Sequence, residues 1–466
     1  MKQITLLAMA VLMITSSCRK IEVDGAPNNS TPTENVILEG RISANRTLSA
    51  NYVYKLRGLV YVTNGAVLTI EPGTKIVGEQ GRNGGLIITR SCKIIADGTV
   101  DKPIVFTSEA ANPARGDWAG LVILGNAPTN SSFNGTAGLG EIEGGVNNSD
   151  GLGLYGTPAT QAQNAADNSG ILRYVRIEYA GYAFLPDKEI NGLTLGGVGN
   201  QTIIDYVQVS YANDDSFEWF GGTVNCKHLI AYKGLDDDFD TDNGFAGKVQ
   251  YAIGFRDSAV ADISGSNGFE SDNDAGGSAL TPQTGATFSN VTLVGPRATL
   301  TNVGNSNYKR GIHARRNSAI SVFNSIVMGW PTGWLVDAST GTPTDLNLVG
   351  GTPKAVYANN IIAGNNTQLN YTVSGSAPTG WAAADFTNYI NRAGGGNTLL
   401  TNTSDVQLTA PFKYDNTVDF NPIVGSPALS GADFTNTKLT TWFTPTTYRG
   451  ACDGADSWWL VWTDFK

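Results

Sequence analysis

A short β-forming segment recurs along the chain with the same design each time. The copies start at residues 173, 205, 227, 250, 289, 324 and 359 and read RYVRIEYAG, DYVQVSYAN, KHLIAYKGL, QYAIGFRDS, SNVTLVGPR, NSIVMGWPT and NNIIAGNNT. The two tightest spacings are 22 and 23 residues. A unit this small cannot bury its own apolar face, so repeated copies must stack on one another. The order strand, corner, strand, corner favours parallel stacking over the hairpins of a sandwich.

The region 58–108 supports the same interpretation. Val, Ile and Thr alternate with other residues in GLVYVTNGAVLTIEPGTKIVG, and Asn-Gly, Pro-Gly and Asp-Gly dipeptides mark the corners. Glycine is abundant, with 56 residues, and only 15% of residues are charged. These patterns predict an all-β, single-domain parallel solenoid.

The N-terminus predicts export and a lipid anchor. Residues 1–17 carry one charge, Lys2, and an apolar run of the length of a secretory signal rather than of a membrane span. Small residues precede Cys18, and this stretch resembles a bacterial lipobox, which implies lipidation of Cys18 and, with Arg19 following, the outer membrane. Residues 18–35 have too few apolar side chains to form a core and are predicted to be a flexible tether.

Charge and cysteine content exclude other classes. The chain has 31 Lys and Arg against 41 Asp and Glu, so nucleic acid is not an expected partner, and contact with a membrane is expected only through the lipid. The remaining cysteines, Cys92, Cys226 and Cys452, are too few and too sparse for a disulfide framework.

Several segments resemble known β-helix proteins. GAVLTIEPGTKI, KIIADGTVDKPIVFTS and DWAGLVIL are similar to the opening coils of right-handed parallel β-helix proteins of the pectin-lyase-like group. YANDDSFEWFGGTVN, GLDDDFDTDNGF and the final YRGACDGADSWWLVWTDF resemble a group of Bacteroidetes β-helix lipoproteins. The resemblance implies a right-handed parallel β-helix at the cell surface, and it carries no assigned activity.

The resemblance and the repeats together place a β-helix at residues 36–440 and a C-terminal cap at 441–466. A solenoid end needs a cover, because an open coil leaves strand groups unpaired. The aromatic residues predicted to form this cap are Trp442, Phe443, Trp458, Trp459 and Trp462. A carbohydrate-stacking platform is the alternative role of the same tryptophans.

The segment GLDDDFDTDNG, residues 234–244, contains five aspartates and determines the predicted site. Aligned with SFEWFGG, GFESDND and GIHARRN of other coils, it predicts an inward column of Phe217, Phe239, Phe269 and Ile312. The next position then forms an outward column of Glu218, Asp240, Glu270 and His313. A second outward column contains Phe220, Asp242, Asp272 and Arg315.

Three interpretations of these columns stay open. The first is a solvated acidic face whose aspartates form corners. The second is a calcium site, because Ca²⁺ prefers oxygen ligands, with Asp238, Asp240, Asp242 and Asp272 as candidate ligands. It is not an EF-hand, since Asn243 and Val249 stand where that loop needs glycine and glutamate.

The third interpretation is catalysis on a polysaccharide. Asn213-Asp214-Asp215, followed one coil later by Asp236-Asp237-Asp238, is similar in order to motifs of polygalacturonase-like hydrolases, although His313 falls too late in the chain. The candidate catalytic residues are Glu218, Asp240, Glu270, His313 and Arg315. A hydrolase needs one protonated and one ionised carboxyl, and a lyase needs calcium with a base such as Arg315. A groove at this position favours catalysis, and a flat face favours binding.

The resulting expectation is an outer-membrane, cell-surface lipoprotein that binds a polymer or partner near a nutrient transporter. A β-helix polysaccharide hydrolase or lyase is the alternative. A calcium-stabilised structural surface protein is the second alternative, and Ca²⁺ is the one cofactor under consideration.

Overall fold

The computed structural model describes residues 22–23, 34–185, 188–302, 304–375 and 379–466. The predicted signal segment, Cys18 and most of the tether lie outside these residues. Within them, no helix is both long and apolar enough to cross a membrane.

The chain is built almost entirely from short strands. The first strands are β1 (Glu22–Val23), β2 (Glu34–Ile42), β3 (Arg46–Leu48), β4 (Tyr52–Val62), β5 (Val67–Ile70), β6 (Lys75–Gly78), β7 (Gly85–Ile88), β8 (Lys93–Asp97), β9 (Ile104–Ser108), β10 (Gly120–Leu124), β11 (Ser132–Phe133), β12 (Thr136–Ala137), β13 (Leu139–Glu141), β14 (Leu154–Gly156), β15 (Gly170–Glu178), β16 (Ala183–Leu185) and β17 (Lys188–Glu189). Next come β18 (Leu193–Gly196), β19 (Ile203–Ser210), β20 (Phe217–Phe220), β21 (Asn225–Tyr232), β22 (Phe239–Asp242), β23 (Lys248–Phe255), β24 (Asn267–Ser271), β25 (Thr287–Val294), β26 (Arg310–Ala314), β27 (Ser321–Phe323), β28 (Ile326–Met328) and β29 (Thr332–Ala338).

The last part of the chain mixes strands with short helices. It contains β30 (Tyr357–Ala358), β31 (Ile361–Ala363), β32 (Thr367–Val373), β33 (Thr398–Leu400), β34 (Leu408–Ala410) and β35 (Asp419–Pro422). One α-helix, α1 (Ala383–Ile390), lies among them. Three 3₁₀ turns span Thr344–Asn347, Thr403–Val406 and Pro427–Leu429.

Strands one coil apart in sequence pair in parallel. The series β18, β20, β22, β24, β26, β29 and β32 forms one continuous parallel ladder. β15, β19, β21, β23 and β25 form a second. This arrangement confirms the predicted all-β parallel solenoid. The described residues also form four two-stranded sheets, including β11–β12 and β13–β14, outside these ladders.

Each long strand of the second ladder bends sharply at one residue, which divides it between two faces of the coil. The bend residues all have positive φ, and from coil to coil they are Tyr174, Tyr206, His228, Tyr251 and Asn290. In the following coils Asn324 and Asn359 also have positive φ, and they lie between β27 and β28 and between β30 and β31. Asparagine tolerates this conformation, but tyrosine and histidine do so at a cost. Their rings stack between coils, with centroids 4.5 Å apart for Tyr174 and Tyr206 and 4.1 Å apart for Tyr206 and His228. This stacking offsets part of the backbone strain.

The interior is a column of stacked apolar side chains. Phe217, Phe239 and Phe269 are fully buried, and successive ring centroids are 5.5 and 5.4 Å apart. Ile312 continues the column in register with Phe269. The predicted inward column is therefore confirmed. Because side chains alternate along a strand, the residue that follows each member of this column points outward.

The C-terminal aromatic residues cover a flank of the solenoid rather than its end, which corrects the predicted cap. Trp459, Trp462 and Phe465 are buried against outward-facing side chains of the middle coils, including Ile230 and Phe255. The outer face of β21 and β23 is apolar, so it needs a cover as much as the end does.

The end of the solenoid is covered by helix α1, which packs on the edge strand β32. Phe386 and Ile390 of α1 are buried in the main core cluster together with Tyr357. An amphipathic helix supplies this cover without offering a further strand edge.

Candidate functional site

The predicted outward column exists as a ladder of directly neighbouring residues. Glu218 is in register with Asp240, Asp240 with Glu270, and Glu270 with His313. Thr194 precedes Glu218 in the same ladder. Parallel pairing without a register shift brings these residues together from a sequence range of more than a hundred positions.

The ladder borders a cleft of about 430 Å³. Glu218 and Asp240 line its floor side, and the corner segments of the same coils add Asp215 and Asp236. Two insertions supply the remaining walls. The full set of lining residues is Glu143, Asn213, Asp214, Asp215, Glu218, Leu235, Asp236, Asp240, Asp262, Ile263 and Ser264. Glu218 and Asp240 thus lie in a groove and not on a flat face, but Glu270 is not among its lining residues, so the groove does not contain all three carboxylates on which the catalytic interpretation depends.

Carboxylate oxygens converge in three groups within the described structure. In each group one oxygen per residue lies within 4.8 Å of the others, and the groups are Asp214–Asp215–Asp236, Asp215–Glu218–Asp240 and Asp237–Asp240–Glu270. Asp215 and Asp240 each belong to two groups. Asp240 therefore connects the cleft to Glu270 behind it.

Neighbouring amides hold most of these carboxylates in place. Asp215 Oδ1 accepts a hydrogen bond from the backbone N–H of Asp237 at 2.7 Å. Asp237 Oδ1 in turn accepts one from the backbone N–H of Asn267 at 2.5 Å. Glu218 accepts one from the side-chain amide of Asn191. These contacts orient the oxygens without neutralising their charge.

Asp240 differs from its neighbours. Its carboxylate makes no hydrogen bond to any part of the chain that the structure describes, and its Oδ1 is buried. A buried carboxylate oxygen with no partner is energetically unfavourable unless it is protonated or binds a cation.

Burial and mutual repulsion disfavour charge throughout the group. Burial is the main cause that raises the pKa values of Asp215, Glu218, Asp237 and Asp240, and neighbouring carboxylates add to it. Burial and the nearby Asp262 raise the pKa of Asp236 to about 6. At neutral pH the cleft therefore favours binding either protons or a cation.

Basic groups stand at one end of the ladder. Arg315 bridges two acids, contacting Glu270 and donating from Nε to Asp272 at 2.7 Å. Arg316 donates to the other oxygen of Asp272 at 2.8 Å. Burial disfavours the charge of Glu270, but the hydrogen bond with His313 and the charge of Arg315 outweigh it and lower the pKa of Glu270.

His313 lies between two carboxylates. Its Nδ1 is 3.2 Å from Glu270 Oε2, and its Nε2 is 3.6 Å from Asp337 Oδ2. His313 is itself buried. It therefore belongs to the ladder as predicted, where it contacts Glu270 rather than the open cleft.

The described structure does not bring the four predicted metal ligands together. Of the four candidates, only Asp240 belongs to a converging group. Asp238 is fully enclosed and paired with Arg256 at 2.8 Å, because strand alternation does not extend into the corner that precedes Phe239.

The other two candidates, Asp272 and Asp242, lie in the second outward column. Asp272 is neutralised by Arg315 and Arg316. Asp242 lies in the second column as predicted, where burial and Asp272 raise its pKa to about 8.

Several site residues were not among the candidates predicted from sequence. Asp214, Asp215, Asp236 and Asp237 come from the corners before β20 and β22, Asn191 comes from the corner before β18, and Asn267 is the first residue of β24. A signal for the acids was present, because Asn213-Asp214-Asp215 and Asp236-Asp237-Asp238 occupy equivalent corners. The asparagines carried no such signal.

A family model described as a pectate-lyase-like β-helix domain matches residues 40–403. The chain belongs to this family. The match to the pectate-lyase-like β-helix includes every strand that contributes to the acidic cleft, and it stops before the flank-covering segment that follows β33. A search of curated proteins finds no match to this chain.

The cleft fits a hard divalent cation within this pectate-lyase-like β-helix. All ligands in the three groups are carboxylate oxygens, which are the donors that Ca²⁺ prefers. With Ca–O distances of about 2.4 Å, two oxygens on opposite sides of one ion are about 4.8 Å apart. The groups contain no histidine or cysteine, so they suit zinc poorly.

Proposed function

We propose that this protein binds a polysaccharide at its acidic cleft and that Ca²⁺ held by the cleft carboxylates takes part in the binding. The observation that carries the proposal is the position of Asp240, whose buried Oδ1 has no hydrogen bond in the described structure and whose carboxylate is shared by two converging groups. A bound cation satisfies that oxygen and offsets the repulsion between neighbouring acids.

The chemistry of the cleft favours a sugar polymer as the ligand. Hydroxyl and carboxylate oxygens of sugars are hard donors of the same kind that Ca²⁺ takes from the protein. The cleft is bordered by the insertions that carry Glu143 and Ile263. Membership of a pectate-lyase-like family is consistent with a polysaccharide-related role.

We place this activity at the surface of a Gram-negative cell, near an outer-membrane nutrient transporter, with Cys18 as the lipid attachment site. The support is the apolar segment and the small residues before Cys18. Cys18→Ala should prevent labelling by a radioactive fatty acid and move the protein out of the membrane fraction. Labelling that persists in the variant would contradict the anchor.

The binding proposal is tested by affinity electrophoresis of the chain from residue 19 onward. Gels containing pectin, alginate, xylan or mannan are run with Ca²⁺ and with EDTA. We expect retardation by at least one polysaccharide with Ca²⁺, loss of it with EDTA, and loss of it in Asp240→Asn. Asp101→Asn, an exposed acid far from the cleft in sequence, is the matched control. Calcium binding without any retardation would leave only a structural role for the ion.

Hydrolysis is the second candidate function. Asp240 and Glu270 are neighbours in the ladder, yet the pKa of Asp240 is raised and that of Glu270 is lowered. A protonated carboxyl beside an ionised one is the arrangement that glycoside hydrolysis requires. Asp240 cannot act as a proton donor while it is a calcium ligand, so the two candidates exclude each other.

An assay for newly released reducing ends distinguishes hydrolysis from binding. A hydrolase predicts cleavage that EDTA does not abolish and that both Asp240→Asn and Glu270→Gln remove. The binding proposal predicts no new reducing ends with any of the four polysaccharides. A lyase that uses Arg315 as its base is disfavoured by the geometry, because Arg315 is held by Glu270 and Asp272 and is not among the residues that line the cleft.

A further inference from the structure

A second cleft, of about 190 Å³, lies on a different face of the solenoid. It is formed where β19 and β21 begin, and a loop of the C-terminal segment closes one side. Its lining residues are Asn200, Thr202, Ile203, Ile204, Asp205, Asn225, Lys227 and Trp442. None of them lines the acidic cleft, so the two sites are separate.

Trp442 is the distinctive residue of this cleft. Its side chain is 36% exposed, whereas Trp459 and Trp462 of the same segment are buried. Its φ is +73°, a left-handed conformation that bulky residues rarely adopt. Strained residues of this kind persist where the surroundings hold them, and they concentrate at ligand sites.

The segment around Trp442 is fixed to the solenoid on both sides. Lys248 Nζ donates to Thr441 Oγ1 at 2.8 Å, and Lys227 Nζ donates to Thr444 Oγ1 at 2.9 Å. The adjacent Phe443 is buried. Lys227 Nζ also lies 5.0 Å from the Trp442 ring centroid. The segment is therefore fixed on both sides of Trp442, while about a third of the surface of Trp442 remains exposed.

The cleft presents hydrogen-bonding groups beside this ring. Asp205 uses Oδ1 for His228 at 2.7 Å, and its other oxygen makes no hydrogen bond within the described part of the chain. Asn225 accepts from the backbone N–H of Lys248 at 3.0 Å through Oδ1, which leaves its NH₂ group for a ligand. Exposed Ile203 adds an apolar contact next to Asn225.

We propose that this cleft binds one neutral sugar unit, which stacks on Trp442 and hydrogen-bonds to Asp205, Asn225 and Lys227. A sugar ring has an apolar C–H face and a rim of hydroxyls, and this combination matches an aromatic surface bordered by polar groups. The charges of Asp205 and Lys227 balance, so the cleft has no preference for an anionic ligand. A volume of 190 Å³ corresponds to about six waters, which is the scale of one monosaccharide.

The test uses a glycine variant that suits the backbone conformation at position 442. Glycine adopts positive φ freely, so Trp442→Gly removes the ring and relieves the backbone strain together. Val461→Gly is the matched control, because Val461 is also exposed, also has positive φ (75°), and lies in the same C-terminal segment but not in this cleft. Lys227→Met tests the polar contact separately.

Binding is measured by ligand-observed NMR with cellohexaose, xylohexaose, mannohexaose and maltohexaose, each at millimolar concentration in EDTA. We expect at least one hexasaccharide to bind the wild type and Val461→Gly equally. Trp442→Gly should weaken that binding about tenfold, as expected for the loss of an aromatic contact with a hydrogen-bonded ligand. Equal binding by Trp442→Gly, or no binding of any hexasaccharide to the wild type, would overturn the proposal.

The same measurement is repeated in the Asp240→Asn background. Sugar binding at Trp442 should be unaffected by this substitution and by Ca²⁺, because the two clefts share no residue. The proposal for the Trp442 site can therefore be refuted without affecting the proposal for the calcium cleft, and the reverse is also true.

Discussion

Asp240 and Glu270 are neighbours on adjacent parallel strands, yet their pKa values move in opposite directions. Burial disfavours charge on both. At Glu270 this effect of burial is offset by His313 and Arg315. At Asp240 the neighbouring carboxylates add to the effect of burial and raise its pKa further. The boundary between the acidic cleft and the basic end of the ladder therefore runs between these two residues.

This boundary predicts opposite effects of two similar substitutions. Asp240→Asn removes an uncompensated carboxylate and should raise the urea midpoint of unfolding in EDTA at pH 8. Glu270→Gln leaves Arg315 without one of its partners and should lower stability by roughly 1–3 kcal/mol. Midpoints that shift in the same direction for both variants would contradict the assignment.

Stability should fall as pH rises when calcium is absent. The folded state holds protons on carboxyls whose pKa values are raised, so between their ordinary value of 3.8 and about 8, the value for Asp242, the native state binds more protons than the unfolded one. Glu270 and Asp337 have the opposite effect, because their pKa values are lowered. Their ionised forms stabilise the folded state, and that stabilisation is lost as the pH falls toward the acidic end of the range. We therefore expect the thermal midpoint in EDTA to be highest near the bottom of the window.

Calcium should flatten that dependence, because ligand carboxylates must be ionised to bind it. The check is a series of thermal melts from pH 4 to 8 with EDTA and with excess Ca²⁺. A midpoint in EDTA that rises steadily toward pH 8 would be inconsistent with the raised pKa values.

The buried pair of Asp238 and Arg256 makes a third prediction. Both side chains are fully enclosed, so Arg256→Met should leave an uncompensated buried carboxylate and lower stability by about 3–5 kcal/mol. The double variant Asp238→Leu/Arg256→Met should recover much of that loss. Chemical denaturation of both variants measures the difference, and a double variant no more stable than the single one would contradict this account.

The flank-covering segment gives a fourth prediction. Trp462 is buried, and its ring meets Tyr174 and Tyr206 edge-on at 5.9 and 6.0 Å. Trp462→Ala should cost about 3–5 kcal/mol and expose apolar outer surface of the middle coils. Increased binding of a hydrophobic dye by the folded variant is the expected signature. Val461→Ala, an exposed neighbour, should show neither effect.

The ladder could be predicted from sequence because parallel coils repeat one position per turn. Aligning phenylalanines at 217, 239 and 269 was enough to place Glu218, Asp240 and Glu270 side by side. The cleft could not be predicted, because its walls come from insertions whose path does not follow the repeat. Asp238 was misplaced for a related reason, since alternation between inward and outward positions ends where the strand ends.

The covering of the flank was also beyond sequence analysis. Ile230 and Ile253 point outward from strands that read like any other in the solenoid, so nothing in the repeat marks them as a second apolar surface. The aromatic C-terminal residues predict a cover for the end of the solenoid, whereas Trp459 and Trp462 pack on its flank.

Calcium binding to the cleft is measured most directly by isothermal titration calorimetry. Protein stripped with EDTA and dialysed at pH 8 is titrated with CaCl₂, alongside Asp240→Asn and the control Asp101→Asn. We predict saturable binding by the wild type and the control, and loss of that binding in Asp240→Asn. A wild type that binds no calcium, or an Asp240→Asn variant that binds it equally well, would contradict the central role assigned to Asp240.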